Sequence, residues 1–186
     1  MIKRVVCLIL LVLTFMMIPT NIGASSHPLP SGRLNGEELA MEYAQERQIS
    51  VEKAKVILSI DLSDSKARTY RILSEKIIVN PNYVARIKFY CRTDESGQFR
   101  GITKLLATSL VNKDGNKEAP FTGNLFAYLE DPNRIFYMVL GEFYHKGSNK
   151  EQLYQREGGR LLEVIYDFMD DTSTGFPVFL ETKLRF

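Results

Sequence analysis

Hydrophobic and polar residues alternate with a period of two along most of the chain that follows residue 66. The alternation is clear in residues 84–91, where the apolar residues Ile87 and Phe89 alternate with Arg86 and Lys88. Successive side chains of a β-strand point to opposite faces of its sheet, so the pattern predicts a strand with one dry and one wetter face. We therefore expect the two apolar side chains to be buried and the two basic ones to be more exposed.

The same alternation, interrupted by turn residues, predicts about seven strands in the segment 67–186. They lie near residues 67–79, 84–91, 98–111, 121–129, 135–144, 161–168 and 178–186. Asp, Asn, Gly and Pro concentrate between most of them, as short antiparallel connections require. We expect the four strands between 84 and 144 to form one meander. The strand at 135–144 is apolar on both faces, which predicts a central position.

Residues 35–60 are predicted to form two short helices. Asn35 followed by Glu38 resembles a capping box, and Ser50 can cap the second helix. We expect this pair to cover one face or edge of a sheet. Because helices and strands do not alternate, the predicted fold is mostly β: an antiparallel β-sandwich or small barrel of about seven strands with a small N-terminal helical element, in one domain over residues 35–186.

Residues 1–24 have the pattern of a secretory signal peptide. Two basic residues precede an apolar run of 14 residues, Val5–Ile18, and Ala24 is a small residue at the expected cleavage point. A membrane-spanning helix needs about 20 apolar residues, so we expect no transmembrane span after cleavage. Residues 25–34, rich in Pro and Ser, predict a flexible lead-in. The expected location is therefore the cell surface or the external medium.

Charge and cysteine content exclude two classes of protein. Of 24 Lys and Arg residues, Lys3 and Arg4 lie in the signal segment, which leaves 22 basic against 22 acidic residues and a net charge of zero. A neutral chain of this kind is not expected to bind nucleic acid. Cys7 also lies in the signal, so Cys91 alone remains and a disulfide framework is excluded. Cys91 is expected to be a buried free thiol.

Few residues are available for catalysis. A nucleophilic site with a histidine base would have to use His145, and glycoside hydrolysis would need a carboxylate pair such as Glu142 and Glu163. The chain contains neither a Gly-x-Ser-x-Gly motif nor a phosphate-binding glycine loop, so we expect no cofactor.

One acidic segment raises the question of calcium. Asp167, Asp170 and Asp171 could form an oxygen-rich calcium loop. Aspartates are also common in turns, where they bond to the local backbone, so we predict no metal site.

Nine tyrosines and eleven phenylalanines suggest a binding surface, because exposed aromatic side chains can stack on sugars or anchor peptides. Two surfaces are candidates: the wetter face of the strand at 84–91, and the long polar loop at 146–159. Their candidate residues are Arg86, Lys88 and Tyr90 on the strand, and Lys150, Tyr154 and Arg156 in the loop. We prefer the loop, because loops on a rigid sheet commonly carry recognition.

The predicted function is an exported, non-catalytic interaction or binding module that acts on an extracellular protein or a cell-envelope component. The first alternative is a secreted hydrolase that uses His145 or the carboxylate pair. The second is a small outer-membrane β-barrel, because the alternating last strand ending in Phe186 resembles the last strand of such barrels. A concave cluster of His145, Glu142 and a hydroxyl would favour the hydrolase, and a flat surface with grouped tyrosines would favour the binding module.

The signal pattern makes a direct prediction about export. The exported protein should begin at or near Ser25, because the pattern ends at Ala24. Edman sequencing or the intact mass of the protein from its native host would show this. An exported form that retains Met1 would contradict it.

Overall fold

The computed structural model describes residues 29–60, 68–96, 98, 100–111, 113–114, 117–144, 149–155, 161–168 and 175–186. Of these, 29–30, 113–114, 117–118, 149–155 and 168 are described by their backbone alone. The predicted signal peptide, His145, Arg156, Asp170 and Asp171 lie outside the described residues. No helix within them is long and apolar enough to cross a membrane.

The described residues form two helices and eleven strands. The helices are α1 (Gly36–Arg47) and α2 (Val51–Ile57). The strands are β1 (Leu29–Pro30), β2 (Thr69–Asn80), β3 (Tyr83–Asp94), β4 (Gly101–Val111), β5 (Lys113–Asp114), β6 (Lys117–Glu118), β7 (Phe121–Asp131), β8 (Arg134–Phe143), β9 (Asn149–Gln155), β10 (Leu161–Phe168) and β11 (Phe176–Arg185).

The long strands form two antiparallel sheets. Sheet 1 has the order β1-β2-β3-β4, and sheet 2 has the order β11-β8-β7-β10-β9. The short strands β5 and β6 pair with each other between β4 and β7. Side chains from both sheets meet in one buried cluster, so the two sheets form a sandwich, one of the two architectures that the sequence allowed. The predicted mostly β, antiparallel fold with an N-terminal helical element is confirmed.

The strand pairing differs from the predicted meander. β3 and β4 belong to sheet 1 whereas β7 and β8 belong to sheet 2, so the four strands do not form one meander. The interior position predicted for the strand at 135–144 is confirmed, because β8 lies between β11 and β7. Turn residues mark where a strand ends, but they do not say which sheet the next strand joins, and this is why the prediction of one meander was wrong.

The polar segment at 146–159 is also not a single loop. Its residues Asn149–Gln155 form β9, which pairs with β10 at the edge of sheet 2. An edge strand has one neighbour and can be polar, so the composition of this segment did not reveal a strand.

The helix pair forms as the sequence predicts. The backbone N–H of Glu38 donates to the Asn35 side chain at 2.9 Å, and the Asn35 N–H donates to the Glu38 carboxylate at 2.8 Å, which completes the capping box. The Ser50 hydroxyl accepts from the Lys53 N–H at 3.2 Å. Residues 29–34, predicted to be part of the flexible lead-in, run beside β2, where Leu34 pairs with Tyr70.

The helices cover the outer face of sheet 1, the face that points away from sheet 2. Their apolar side chains form a second buried cluster with residues of β2, β3 and β4. Its members include Leu39, Tyr43, Ala54, Leu58, Tyr70, Ile72, Tyr90 and Leu106. Sheet 1 is therefore buried on both faces, and the molecule has three layers: helices, sheet 1 and sheet 2.

The core between the sheets contains the residues predicted from the alternation. Ile87 and Phe89 are fully buried, and Phe89 packs against Tyr137 of sheet 2 with 5.1 Å between ring centroids. Arg86 and Lys88 are partly exposed, so the predicted polarity of β3 is confirmed. Cys91 is buried as a free thiol, and burial raises the pKa of this thiol. A thiol held protonated in this way reacts slowly.

One carboxyl group also faces the core. Glu75 of β2 is buried on the same side of sheet 1 as Leu73 and Ile77, and it faces Tyr137. The Tyr137 hydroxyl is itself buried and has no hydrogen-bond partner of normal geometry among the described residues. Burial raises the pKa of Glu75 above its ordinary value, and the nearby phenol opposes this only in part.

Phe89→Ala should destabilise the protein by about 3–5 kcal/mol, the usual result of removing a large aromatic side chain from a packed core. Phe179→Ala is the matched control, because Phe179 is on the outer face of sheet 2 and is 40% exposed. Urea unfolding would measure the change in the free energy of unfolding for both variants. A loss below about 1 kcal/mol for Phe89→Ala would show that Phe89 does not lie in a packed core.

Glu75→Gln should stabilise the protein at neutral pH by about 1 kcal/mol or more, because the ionised carboxylate is buried without a full set of partners. A raised folded-state pKa means that the folded state binds this proton more tightly than the unfolded chain does. The stabilising contribution of the protonated Glu75 side chain is present below the ordinary pKa of 4.5, and it is lost as the pH rises through the folded-state pKa of Glu75.

Urea unfolding of the wild type and Glu75→Gln between pH 4 and pH 8 would test this. The two curves should converge at the acid end. Glu181→Gln, which removes an exposed carboxyl group on β11, should leave the pH dependence unchanged. A constant difference between wild type and Glu75→Gln across the range would contradict the prediction.

Candidate binding surface

The outer face of sheet 2, the face that points away from sheet 1, carries large apolar side chains. Along β7, the buried residues Leu125 and Ala127 alternate with Phe126 and Tyr128, which are only partly buried. The same alternation occurs along β8. Both faces of these two strands are therefore apolar, although only one of them faces the core.

The strand register places these outward side chains in three adjacent rows. From β11 through β8 and β7 to β10, the rows are Phe179, Leu140, Asn124 and Ile165; then Glu181, Met138, Phe126 and Glu163; then Lys183, Phe136, Tyr128 and Leu161. We call the apolar members of these rows the apolar patch: Phe126, Tyr128, Phe136, Met138, Leu140, Leu161, Ile165 and Phe179. Residues opposite each other on paired strands are in contact distance, so the patch is continuous.

Nothing among the described residues covers the apolar patch. Leu140 is 46% exposed, Phe179 is 40% exposed and Leu161 is 38% exposed. On the outer face of sheet 1, by contrast, Tyr70 and Tyr90 are buried beneath the helices. Within the described part of the chain, the helices thus cover the outer face of sheet 1, and no element covers the outer face of sheet 2.

Some of the charged residues around the apolar patch form ion pairs and others do not. Lys183 donates to Glu130 at 2.9 Å, and Arg134 donates to Asp131 at 2.6 Å. Glu163 and Glu181, at the two ends of the middle row, have no ion-pair partner among the described residues. Among the described residues, two acidic side chains thus flank the apolar centre without an ion pair, and Arg185, beyond Lys183 on the same face of β11, has no ion pair either.

Two glycines fix the hairpin that carries the centre of the patch. Gly123 of β7 and Gly141 of β8 are paired across the ladder. A Cβ atom on Gly123 would lie 2.1 Å from the carbonyl oxygen of Leu140, and Gly123 has a φ of +139°, where other residues are strained. Gly141 would place a Cβ atom 2.0 Å from the Thr122 carbonyl oxygen. Only glycine at both positions allows β7 and β8 to approach this closely.

The first predicted surface, on β3, lies beneath the helix pair. Lys88 forms an ion pair with Glu46 of α1. Tyr90 is fully buried, and its ring packs edge-on against Tyr43 with 4.9 Å between centroids. Arg86 is partly exposed. The prediction that Tyr90 lies on an exposed face was wrong, because the wetter face of this strand is the one that the helices cover.

Part of the second predicted surface, the segment at 146–159, forms the edge strand of sheet 2. Lys150 and Tyr154 belong to β9, and the register places them opposite Asp167 and Glu163 of β10. These register positions lie on the outer face of the sheet, beside the apolar patch. Arg156 lies outside the described residues. Whether the three residues contact a ligand stays a prediction.

Sequence reasoning missed the apolar patch, although its signal was visible. Residues 135–144 are apolar on both faces, and this was interpreted as a central position in a sheet. A strand in a two-sheet sandwich has one face in the core, so its second apolar face must meet either another layer of the molecule or the solvent. Among the described residues, the helix layer lies on sheet 1.

The residues proposed for hydrolysis do not form a concave site in the described part of the chain. Glu142 and Glu163 lie on β8 and β10, with β7 between them, on the open outer face. Glu142 accepts a hydrogen bond from the Tyr144 hydroxyl at 2.8 Å. The described residues also contain no group of three acidic, His or Cys side chains that could hold a metal ion. Asp167 is exposed on β10.

Comparison with known proteins adds no functional information. No family model, no curated protein and no solved structure matches this chain.

Proposed function

We propose that this protein is an exported, non-catalytic binding module that docks onto an extracellular protein through the apolar patch. The uncovered patch on the outer face of sheet 2 is the observation that carries the proposal. Contiguous apolar surface exposed on one face, with a polar rim, is characteristic of interaction sites. The signal-peptide pattern of residues 1–24 supports a role outside the cytoplasm.

The size of the patch suits the centre of an interface. Its four strands span about 14 Å and its three rows about 13 Å between outermost positions, given the usual strand spacing and rise. The resulting area of about 180 Å² between the outermost positions is less than the roughly 800 Å² that each partner buries in a standard interface. The polar rim must therefore contribute the remaining area, which agrees with the usual arrangement of an apolar core within a polar rim.

The composition of the patch supports a protein partner. Phenylalanine, tyrosine and methionine are enriched at protein interfaces, and the patch contains all three. The uncompensated Glu163 and Glu181 at its flanks favour a partner with an apolar centre and basic flanking residues. Lys150 and Tyr154, at register positions beside the patch, would extend the same surface.

Leu140→Arg should abolish docking, because it places an unpaired charge within the apolar patch, where a partner would bury it. Val56→Arg is the matched control: Val56 is 78% exposed and lies on α2, away from sheet 2. Photocrosslinking at position 179 in the native host would measure the amount of partner that each variant recovers. Leu140→Arg should recover about tenfold less partner than the wild type, or less still. Recovery should be unchanged for Val56→Arg.

Further measurements would show what binds to the apolar patch and whether the patch binds anything. Binding that weakens in high salt and in Glu163→Gln would support a partner with basic flanks. Sedimentation showing a dimer that Leu140→Arg disrupts and Val56→Arg preserves would identify a second copy of this chain instead. Equal recovery of every partner by Leu140→Arg and wild type, or a hydrolytic activity lost in His145→Ala, would overturn the proposal.

A further inference from the structure

Strand β11 lies at the edge of sheet 2 and has a regular ladder on one side. It pairs with β8 at ten consecutive positions, from Phe176 opposite Phe143 to Arg185 opposite Arg134, without a bulge. In the described part of the chain, no strand lies on its other side. A row of unpaired N–H and C=O groups along a regular edge strand is a template for pairing with another strand.

The free backbone groups of β11 belong to alternate residues. The N–H of Phe186 donates to the carbonyl oxygen of Asn133 at 2.9 Å, in register with the ladder between β11 and β8. In an antiparallel ladder, residues bonded to the neighbouring strand alternate with residues whose N–H and C=O point the other way. The second kind are Phe179, Glu181, Lys183 and Arg185, which we call the edge set. No backbone hydrogen bond joins them to another described residue.

Pro177 agrees with this assignment. It lies two residues before Phe179, so its backbone nitrogen also points away from β8. A proline is compatible with an edge strand at such a position, because it removes no bond from the ladder. Since Pro177 has no N–H, the row of donors on the free side of β11 begins at Phe179.

The side chains of the edge set lie on the outer face of sheet 2. Val178, Leu180 and Leu184 are buried in the core, so the residues that alternate with them point outward. All four members of the edge set are exposed. Opposite residues of paired strands point to the same face, so a strand added at this edge would place its own side chains beside them.

One antiparallel register of two β11 strands pairs residues that attract each other. With a two-fold axis at Thr182, Glu181 lies opposite Lys183 of the second copy, and Phe179 lies opposite Arg185 of the second copy. Symmetry repeats each pair, and each pair can exchange two backbone hydrogen bonds. Opposite charges, and a cation beside an aromatic ring, are favourable cross-strand neighbours. Moving the axis to position 181 or 183 would set Glu181 or Lys183 against itself, which is unfavourable.

The charges of the edge set are available for these contacts. Among the described residues, Glu181 and Arg185 have no ion-pair partner. Lys183 donates to Glu130 at 2.9 Å, and its ammonium group has two further donors for a carboxylate of a second copy. Arg185 lies opposite Arg134 in the ladder with β8, so its neighbour within the sheet has the same charge.

The edges of sheet 1 are less suited to pairing with another strand. The ladder between β4 and β3 has two register shifts, and such irregularities twist an edge away from a new strand. On the opposite edge, β1 and the bridge of Leu34 with Tyr70 occupy part of β2. The ladder of β11, by contrast, is regular over ten residues.

We propose that two copies of this chain pair edge to edge through β11, antiparallel and about a two-fold axis at Thr182. The two five-stranded sheets then form one continuous sheet, and the two apolar patches lie on the same side of it. The contact is made by the strand edge, and Phe179 alone belongs to both the edge set and the apolar patch. The proposal therefore does not rest on docking through the patch. In this dimer Glu181 is paired, and Glu163 remains as the acidic flank of each patch.

Charge reversal on β11 tests the contact and its register together. Glu181→Lys and Lys183→Glu each replace two opposite-charge contacts of the dimer with two like-charge contacts. Each variant should raise the dimer dissociation constant, measured by sedimentation equilibrium, by about tenfold or more. An equal mixture of the two variants should form a heterodimer of nearly wild-type affinity, because both contacts between opposite charges return. The double variant should dimerise alone for the same reason.

Recovery in the mixture also shows that both single variants are folded. Leu161→Arg is the matched control, because Leu161 is exposed on β10, three strands from β11, and the dimer should keep its affinity. A protein that stays monomeric up to about 1 mM, a dimer that neither charge reversal weakens, or a mixture that does not recover would overturn the proposal. A dimer that Leu161→Arg disrupts would place the contact on the apolar patch and would also overturn it.

Discussion

The packing of the helix pair on the outer face of sheet 1 distinguishes the two outer sheet faces in the part of the chain that the structure describes. A sandwich of two apolar sheets has four faces, and two of them cover each other. The helices α1 and α2 cover the third, where Tyr43 and Leu39 meet Tyr90 and Tyr70 in a second buried cluster. The fourth face has no further layer among the described residues. The exposed aromatic side chains of β7 and β8 follow directly from this arrangement.

The two buried carboxyl groups show how local partners decide what a charge does in this fold. Arg71 and Arg33 hold Glu95 at the end of sheet 1 and lower its pKa to about 2, so it stabilises the fold as an anion. Glu75 faces Tyr137 in the core without a cation, and burial raises its pKa. Stability from Glu95 is therefore lost as the pH falls from the ordinary value of 4.5 toward 2, whereas stability from Glu75 is lost as the pH rises.

Local features of the fold could be predicted from the sequence, and the arrangement of its layers could not. The alternation around Ile87 and Phe89 and the capping box of Asn35 depend on neighbouring residues, and both were confirmed. The partition of the strands into two sheets depends on contacts between distant segments. The ion pair of Lys88 with Glu46 joins residues 42 positions apart, and nothing in their local sequence indicates it. The wetter face of β3 was therefore assigned to solvent although it meets a helix.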